Sequence, residues 1–234
     1  PPHPDEVTAD GGRRRRRILS TLLALGLVVS LIGLGTGTPR LWQENLAPES
    51  KVRPAASSHP PAGELAEGVV VIEAEAEFEV STGTGMVLTE DGEIITAYHV
   101  VENASMARAL DPSTGVEYEL ELAGYNHALD IALMRTVGSA PLATVTIDAD
   151  GVTVGGGATV VGNANGQGYL SEFHGEIRST GDWAWVGTSD GSPPLRVEDL
   201  IRTDADVVSG CSGGPLLDAD GEVVGVLVIG SDRP

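Results

Sequence analysis

The chain of 234 residues predicts an all-β domain behind an apolar N-terminal segment. Three observations carry this reading. From residue 68 onward, apolar residues come in short runs or alternate with polar ones, the period-two pattern of strands. Turn pairs punctuate the runs at Asp91-Gly92, Asp150-Gly151, Asp190-Gly191 and Asp220-Gly221, dipeptides that reverse a chain. Helical periodicity is almost absent, and a single helical turn is expected over residues 97–103, straight after a strand. Roughly ten or more short strands of this kind build sandwiches or barrels.

Residues 1–17 read as a cytoplasmic tail, polar at first and ending in five arginines at 13–17. No charged residue occurs between Arg17 and Arg40, which leaves 22 residues. About 20 helical residues cross the ~30 Å hydrocarbon core, so residues 18–38 predict a single N-terminal transmembrane helix. The arginines hold their end in the cytoplasm, and everything beyond Arg40 is then outside. A cleaved signal peptide is the alternative: Gly35-Thr36-Gly37 offers a weak small-x-small site, and Arg15-Arg16-Arg17-Ile18-Leu19 faintly resembles a twin-arginine signal. Residues 39–67 contain prolines 39, 48, 54, 60 and 61 and no sustained apolar period, which predicts a disordered linker. Strands are expected within 69–80, 86–88, 94–96, 117–122, 131–134, 158–161, 169–177, 184–186, 200–203 and 223–229, so the folded domain is placed at 68–234.

The formal net charge of −20 is unevenly spread. From Pro61 onward six basic residues face 29 acidic ones. Such a domain repels phosphates, which excludes a nucleic-acid partner. The single cysteine, Cys211, leaves no disulfide within the chain, so the domain is held by its core. Two glutamate combs, Glu73-Glu75-Glu77-Glu79 spaced by two and Glu117-Glu119-Glu121, fall on one face of their strands and read as solvated outer faces rather than calcium ligands. Gly155-Gly156-Gly157 lacks the Lys-Ser/Thr ending of a phosphate loop. No metal-spaced His/Cys cluster occurs, and no metal or cofactor is expected.

The stretch Ser209-Gly210-Cys211-Ser212-Gly213-Gly214-Pro215 has the composition that acyl transfer needs, a hydroxyl nucleophile among backbone N–H groups that can converge on one point. A base and an orienting acid must come from elsewhere. His99 stands where Ile94-Ile95-Thr96-Ala97 ends as a strand, a rigid mount for a general base. Asp130 begins the otherwise apolar Ile131-Ala132-Leu133-Met134, and a buried carboxylate there needs a partner such as an imidazole N–H. His127 lies in a polar loop and His174 in an alternating strand; both are weaker candidates.

Four stretches together resemble the HtrA (DegP-like) group of trypsin-like serine proteases. Thr82-Gly83-Thr84-Gly85-Met86-Val87, continuing to Ala97-Tyr98-His99-Val100-Val101, is similar to that group's first-barrel hairpin and histidine. Leu129-Asp130-Ile131-Ala132-Leu133 is similar to its aspartate strand. Val160-Val161-Gly162-Asn163-Ala164-Asn165-Gly166-Gln167-Gly168 resembles its glycine-asparagine loop, and Ile201-Arg202-Thr203-Asp204 through Pro215, then Asp220-Gly221-Glu222-Val223-Val224-Gly225-Val226, its nucleophile region. The resemblance implies a two-barrel chymotrypsin-like fold with the site in the cleft between barrels. It implies Ser212 as nucleophile, His99 as base and Asp130 as the acid that orients it, with the N–H groups of Gly210 and Ser212 as an oxyanion hole.

Cys211 replaces the Asn or Asp usual before the serine. Asp206 lies six residues before Ser212, where trypsin keeps the acid that selects basic side chains, whereas HtrA-type proteases usually prefer aliphatic residues. The group continues past the equivalent of Pro234 with a last strand, and often a PDZ domain. The expectation is a serine endopeptidase tethered to the cytoplasmic membrane through residues 18–38, acting outside on protein or peptide substrates, in a bacterium. The alternative is a catalytically silent module on the same barrels.

Overall fold

A computed structural model of the chain describes residues 26–30, 59, 61–77, 79–138, 141–186 and 194–228. In chain order the strands are β1 (Gly26–Ser30), β2 (Val69–Glu75), β3 (Val80–Val87), β4 (Glu93–Ala97), β5 (Met106–Asp111) and β6 (Val116–Asn126). They continue as β7 (Ile131–Thr136), β8 (Gly157–Gly162), β9 (Ser171–Val186), β10 (Leu195–Thr203), β11 (Pro215–Leu217) and β12 (Val223–Val228). They close into two barrels, β2-β3-β4-β7-β6-β5 and β1-β10-β9-β8-β11-β12. Closure removes the unpaired edges that an open sheet would expose. The all-β, two-barrel expectation is therefore met.

The strand faces follow from the side chains. Val69 to Ile72 are all buried, as are all six residues of β12, because these strands are covered on both faces. The run expected over 69–80 is broken by a tight turn, where Ala76 N–H donates to Glu79 O at 2.8 Å. Glu117, Glu119 and Glu121 are exposed on β6, as a solvated comb should be. The other comb is partly paired: Arg108 reaches Glu73 at 3.2 Å and Glu75 at 2.7 Å. These ion pairs are exposed and contribute at most about 1 kcal/mol each. Strand β5 escapes the sequence reading because its inward residues are Ala107 and Ala109, whose small side chains carry no strand signal. The helical turn expected at 97–103 is α1 (Tyr98–Val101).

Of the linker, residues 39–58 and Pro60 lie outside the described residues. Its last part is built into the fold: Ala62 N–H donates to Leu170 O at 2.7 Å, and Ala62, Leu65 and Ala66 pack on the core.

Of the expected membrane span, residues 18–25 and 31–38 lie outside the described residues. Gly26–Ser30 form β1, parallel to both neighbours, with Leu27 opposite Leu200 and Val226. Among the described residues no helix is long and apolar enough to cross a membrane. The local chemistry allows the strand: Leu27, Val28 and Val29 suit a buried strand as well as a bilayer helix.

Candidate active site

The candidate base and acid come from the first barrel. Strand β4 ends at Ala97, whose extended backbone (φ −71°, ψ 138°) turns directly into α1. His99 thus sits in the first turn of a four-residue helix, half-exposed, while its neighbours Val100 and Val101 are buried and hold the turn down. Asp130 follows the 3-10 turn His127–Leu129 and takes the left-handed conformation, φ 51°. Asp tolerates that region better than most residues.

The pair is locked by several bonds. His99 Nδ1 lies 2.6 Å from Asp130 Oδ2, and His99 N–H donates to Asp130 Oδ1 at 2.9 Å. Tyr98 N–H donates to Asp130 O, also at 2.9 Å. Both carboxylate oxygens are therefore used, as burial of a charged group requires. With Nδ1–H directed at the carboxylate, the neutral ring leaves Nε2 as its acceptor. The histidine at 31 residues' distance is the partner that the sequence reading assigns to Asp130.

The loop of the candidate nucleophile comes from the second barrel, between β10 and β11. Ser212 is buried to 5% exposure. Gly213 packs against the first barrel: a methyl group there would lie 2.2 Å from Thr84 O and 2.7 Å from Ala97 N. That contact, together with Thr84 N–H donating to Ser212 O at 2.9 Å, brings the serine beside the strand that ends at His99. Among the described residues the Ser212 hydroxyl forms no hydrogen bond to His99; such bonds commonly tighten only around bound substrate.

The backbone of the loop is held open. Gly210 adopts φ 90°, and a methyl there would lie 2.1 Å from Asn163 O, so only glycine fits. Ser209 O accepts from Asn165 N–H at 2.7 Å, and Cys211 O from Gly214 N–H at 3.0 Å. In a trans peptide the N–H points opposite to the C=O, so Gly210 N–H and Ser212 N–H face away from those partners. Neither donates to a described acceptor. Two free donors in one glycine-rich loop are what an oxyanion needs.

Cys211 is fully buried and packs against Gly162, and burial pushes its thiol up to about 11. At neutral pH it is a thiol that fills space. We expect iodoacetamide to leave Cys211 of the folded chain intact at pH 7.5 and to label it fully in denaturant. Native labelling at the rate of a free thiol would refute this.

The other candidates are placed elsewhere. Asp206 is exposed between buried Ala205 and Val207. His174 is exposed, near Thr159 Oγ1 and Glu172. His127 stands edge-on to Tyr98, which stacks on Tyr125 with ring centroids 4.5 Å apart. Among the described residues Asp148, Asp218 and Glu222 gather their carboxylates within 4.8 Å. Asp148 and Asp218 accept N–H groups of their own turns, as turn-forming aspartates do. Thr84 is the residue at this site to which the sequence reading assigned no role. Its signal is only the string Thr82-Gly83-Thr84-Gly85.

A double barrel with a histidine–aspartate pair on one barrel and a serine loop on the other is the arrangement of chymotrypsin-fold serine proteases. The chain belongs to the trypsin-like peptidase domain family, whose model matches residues 83–226, and it is HtrA/DegP-like. It is 36% identical over 152 residues to the putative serine protease HhoB of Synechocystis, covering 63% of this chain and 34% of that protein. It is 30% identical over 149 residues to the periplasmic serine endoprotease DegP of Escherichia coli K12, covering 63% and 30%. The chain thus spans about a third of the length of these two relatives. Among solved structures, the HtrA-type protease AlgW with tripeptide superposes with a TM-score of 0.59 at 28% identity, over 69% of this chain and 50% of that one. The serine endoprotease from Yersinia pestis gives 0.58 at 23%, over 69% and 53%, a likeness of fold.

Proposed function

We propose that the chain is a serine endopeptidase working through an acyl-enzyme. Ser212 Oγ attacks the scissile carbonyl carbon while His99 Nε2 takes the hydroxyl proton. The carbonyl oxygen becomes an oxyanion that accepts from Gly210 and Ser212 N–H. Collapse of the intermediate breaks the C–N bond, and the proton on Nε2 passes to the leaving amine. Water then repeats the cycle on the ester, releasing the acid and restoring Ser212. Asp130 keeps the imidazole in the tautomer that accepts at Nε2 and stabilises its cation. The observation that carries this reading is the 2.6 Å contact between His99 Nδ1 and Asp130 Oδ2. A fluorophosphonate probe tests it: the folded chain should be labelled at Ser212, and absence of label would end the proposal.

Substrates are proposed to be exposed or unfolded protein outside the cytoplasmic membrane, in keeping with the periplasmic relative. We expect peptides with Val before the scissile bond to be cleaved at least tenfold faster than the Arg equivalents. The Asp206 carboxylate is exposed, and a solvated charge selects weakly. Faster cleavage after Arg would instead make Asp206 the selecting acid.

The proposed tether is residues 18–38, supported by the five arginines followed by 22 uncharged residues. A bilayer helix and strand β1 are exclusive states of Gly26–Ser30. Sodium carbonate extraction of the expressed full chain separates them: retention in the membrane pellet supports the anchor, and release into the supernatant removes it.

A further inference from the structure

Thr84 belongs to β3 of the first barrel and is fully buried, yet it forms three hydrogen bonds that cross to the second barrel. Its N–H donates to Ser212 O at 2.9 Å. Its Oγ1 donates to Gly210 O at 2.8 Å and accepts from Asn163 N–H at 2.9 Å. Its carbonyl accepts from Thr96 Oγ1 at 2.7 Å within the first barrel. The hydroxyl is therefore the middle of a relay, Asn163 N–H to Thr84 Oγ1–H to Gly210 O. A hydroxyl whose acceptor side is occupied by an amide N–H has its own proton directed, and each bond in such a chain polarises the next.

The bland reading is a satisfied core threonine that helps to join two barrels. The identity of its partner argues for more. Gly210 has no side chain to restrict it, so the torsions on either side of its Cα must be set from outside. The two flanking peptides are pinned separately: Ser209 O by Asn165 N–H, and Gly210 O by the Thr84 hydroxyl. Release of the second pin frees ψ of Gly210. The peptide plane that carries Gly210 N–H, still held through Ser209 O, is then no longer fixed relative to the chain leading to Ser212 N–H, and the two donors can drift out of common aim. Since an oxyanion donor works only when it is already aimed, drift costs rate rather than substrate binding.

We infer that Thr84 is a positioning residue of the oxyanion hole, acting across the barrel interface by holding Gly210 through its hydroxyl. This rests on the acyl-enzyme reading of the same site. Thr84→Val keeps the shape and removes the relay; Thr84→Ser keeps the relay. In the full chain we expect Thr84→Val to lower kcat on a peptide amide by about 10- to 100-fold, below the loss of a whole oxyanion donor. KM should stay within threefold. Affinity for a peptide aldehyde, whose hemiacetal places an oxyanion in the hole, should fall by the same factor as kcat/KM, while binding of the product peptide stays unchanged. Thr84→Ser should return kcat to within threefold of the parent chain.

A folded Thr84→Val chain with kcat within twofold of the parent would overturn the inference. So would a loss confined to KM, or equal weakening of aldehyde and product. Should Thr84→Val not fold, Thr84→Ala carries the same comparison, and a folded Thr84→Ser chain more than tenfold impaired overturns the inference alone. A parent chain that a fluorophosphonate does not label refutes the acyl-enzyme reading itself and removes this inference with it.

Discussion

Replacing Ser212 with alanine is expected to lower kcat on a peptide substrate by on the order of 10⁶-fold and to abolish fluorophosphonate labelling. The change deletes one oxygen from a loop whose shape does not depend on it. Gly213 N–H donates to Leu227 O at 2.7 Å, Gly214 N–H to Cys211 O at 3.0 Å, and Thr84 N–H to Ser212 O at 2.9 Å. None of these bonds uses the Ser212 hydroxyl. Stability should therefore shift by no more than about 1 kcal/mol, the usual range where no cavity or buried charge is created. Steady-state kinetics and thermal unfolding on the same preparation check both halves. Residual activity above one per cent, or a label that survives, would mean that another group attacks the substrate.

The second large effect is expected from Asp130→Asn, about a 10⁴-fold fall in kcat with the fold retained. Asn enters the left-handed region as readily as Asp, so φ 51° at this position is no obstacle. The loss is chemical. Asp130 presents two acceptor oxygens, one to His99 N–H and one to His99 Nδ1. Asn has a single acceptor oxygen, and its NH₂ can only donate. With the oxygen kept on His99 N–H, the amide donates to Nδ1 and drives the ring proton to Nε2. That nitrogen then cannot take the Ser212 proton. Kinetics on the purified variant, beside its circular dichroism, test this. A folded Asp130→Asn chain within tenfold of the parent would show that the carboxylate does not set the tautomer.

The apolar runs of 69–72, 131–134 and 223–228 and the Asp-Gly turns made most of both barrels legible, because each is a local pattern that a strand or a turn imposes on its own residues. Strand β5 was not, since Ala107 and Ala109 fill their places in the core without resembling strand formers. The break at 76–79 was hidden by glutamates that alternate straight through the turn. Leu27, Val28 and Val29 are residue types that suit a bilayer helix and a strand alike, so the chain could not foretell the pairing of Gly26–Ser30 with β10 and β12.

The same division runs through the site. His99, Asp130 and Ser212 could be picked out from the chain as candidates because each stands at a strand end or in a glycine loop that its immediate neighbours announce. The contact between His99 and Asp130 spans 31 residues, and the hydroxyl of Thr84 meets Gly210 across 126. No local pattern encodes such distances. Packing of one barrel on the other turns Thr84 toward the Ser212 loop and leaves two N–H groups of that loop without partners among the described residues. Residue types are written along the chain, but the aim of a backbone donor depends on which distant groups hold its neighbours, and that exists only after the barrels have closed.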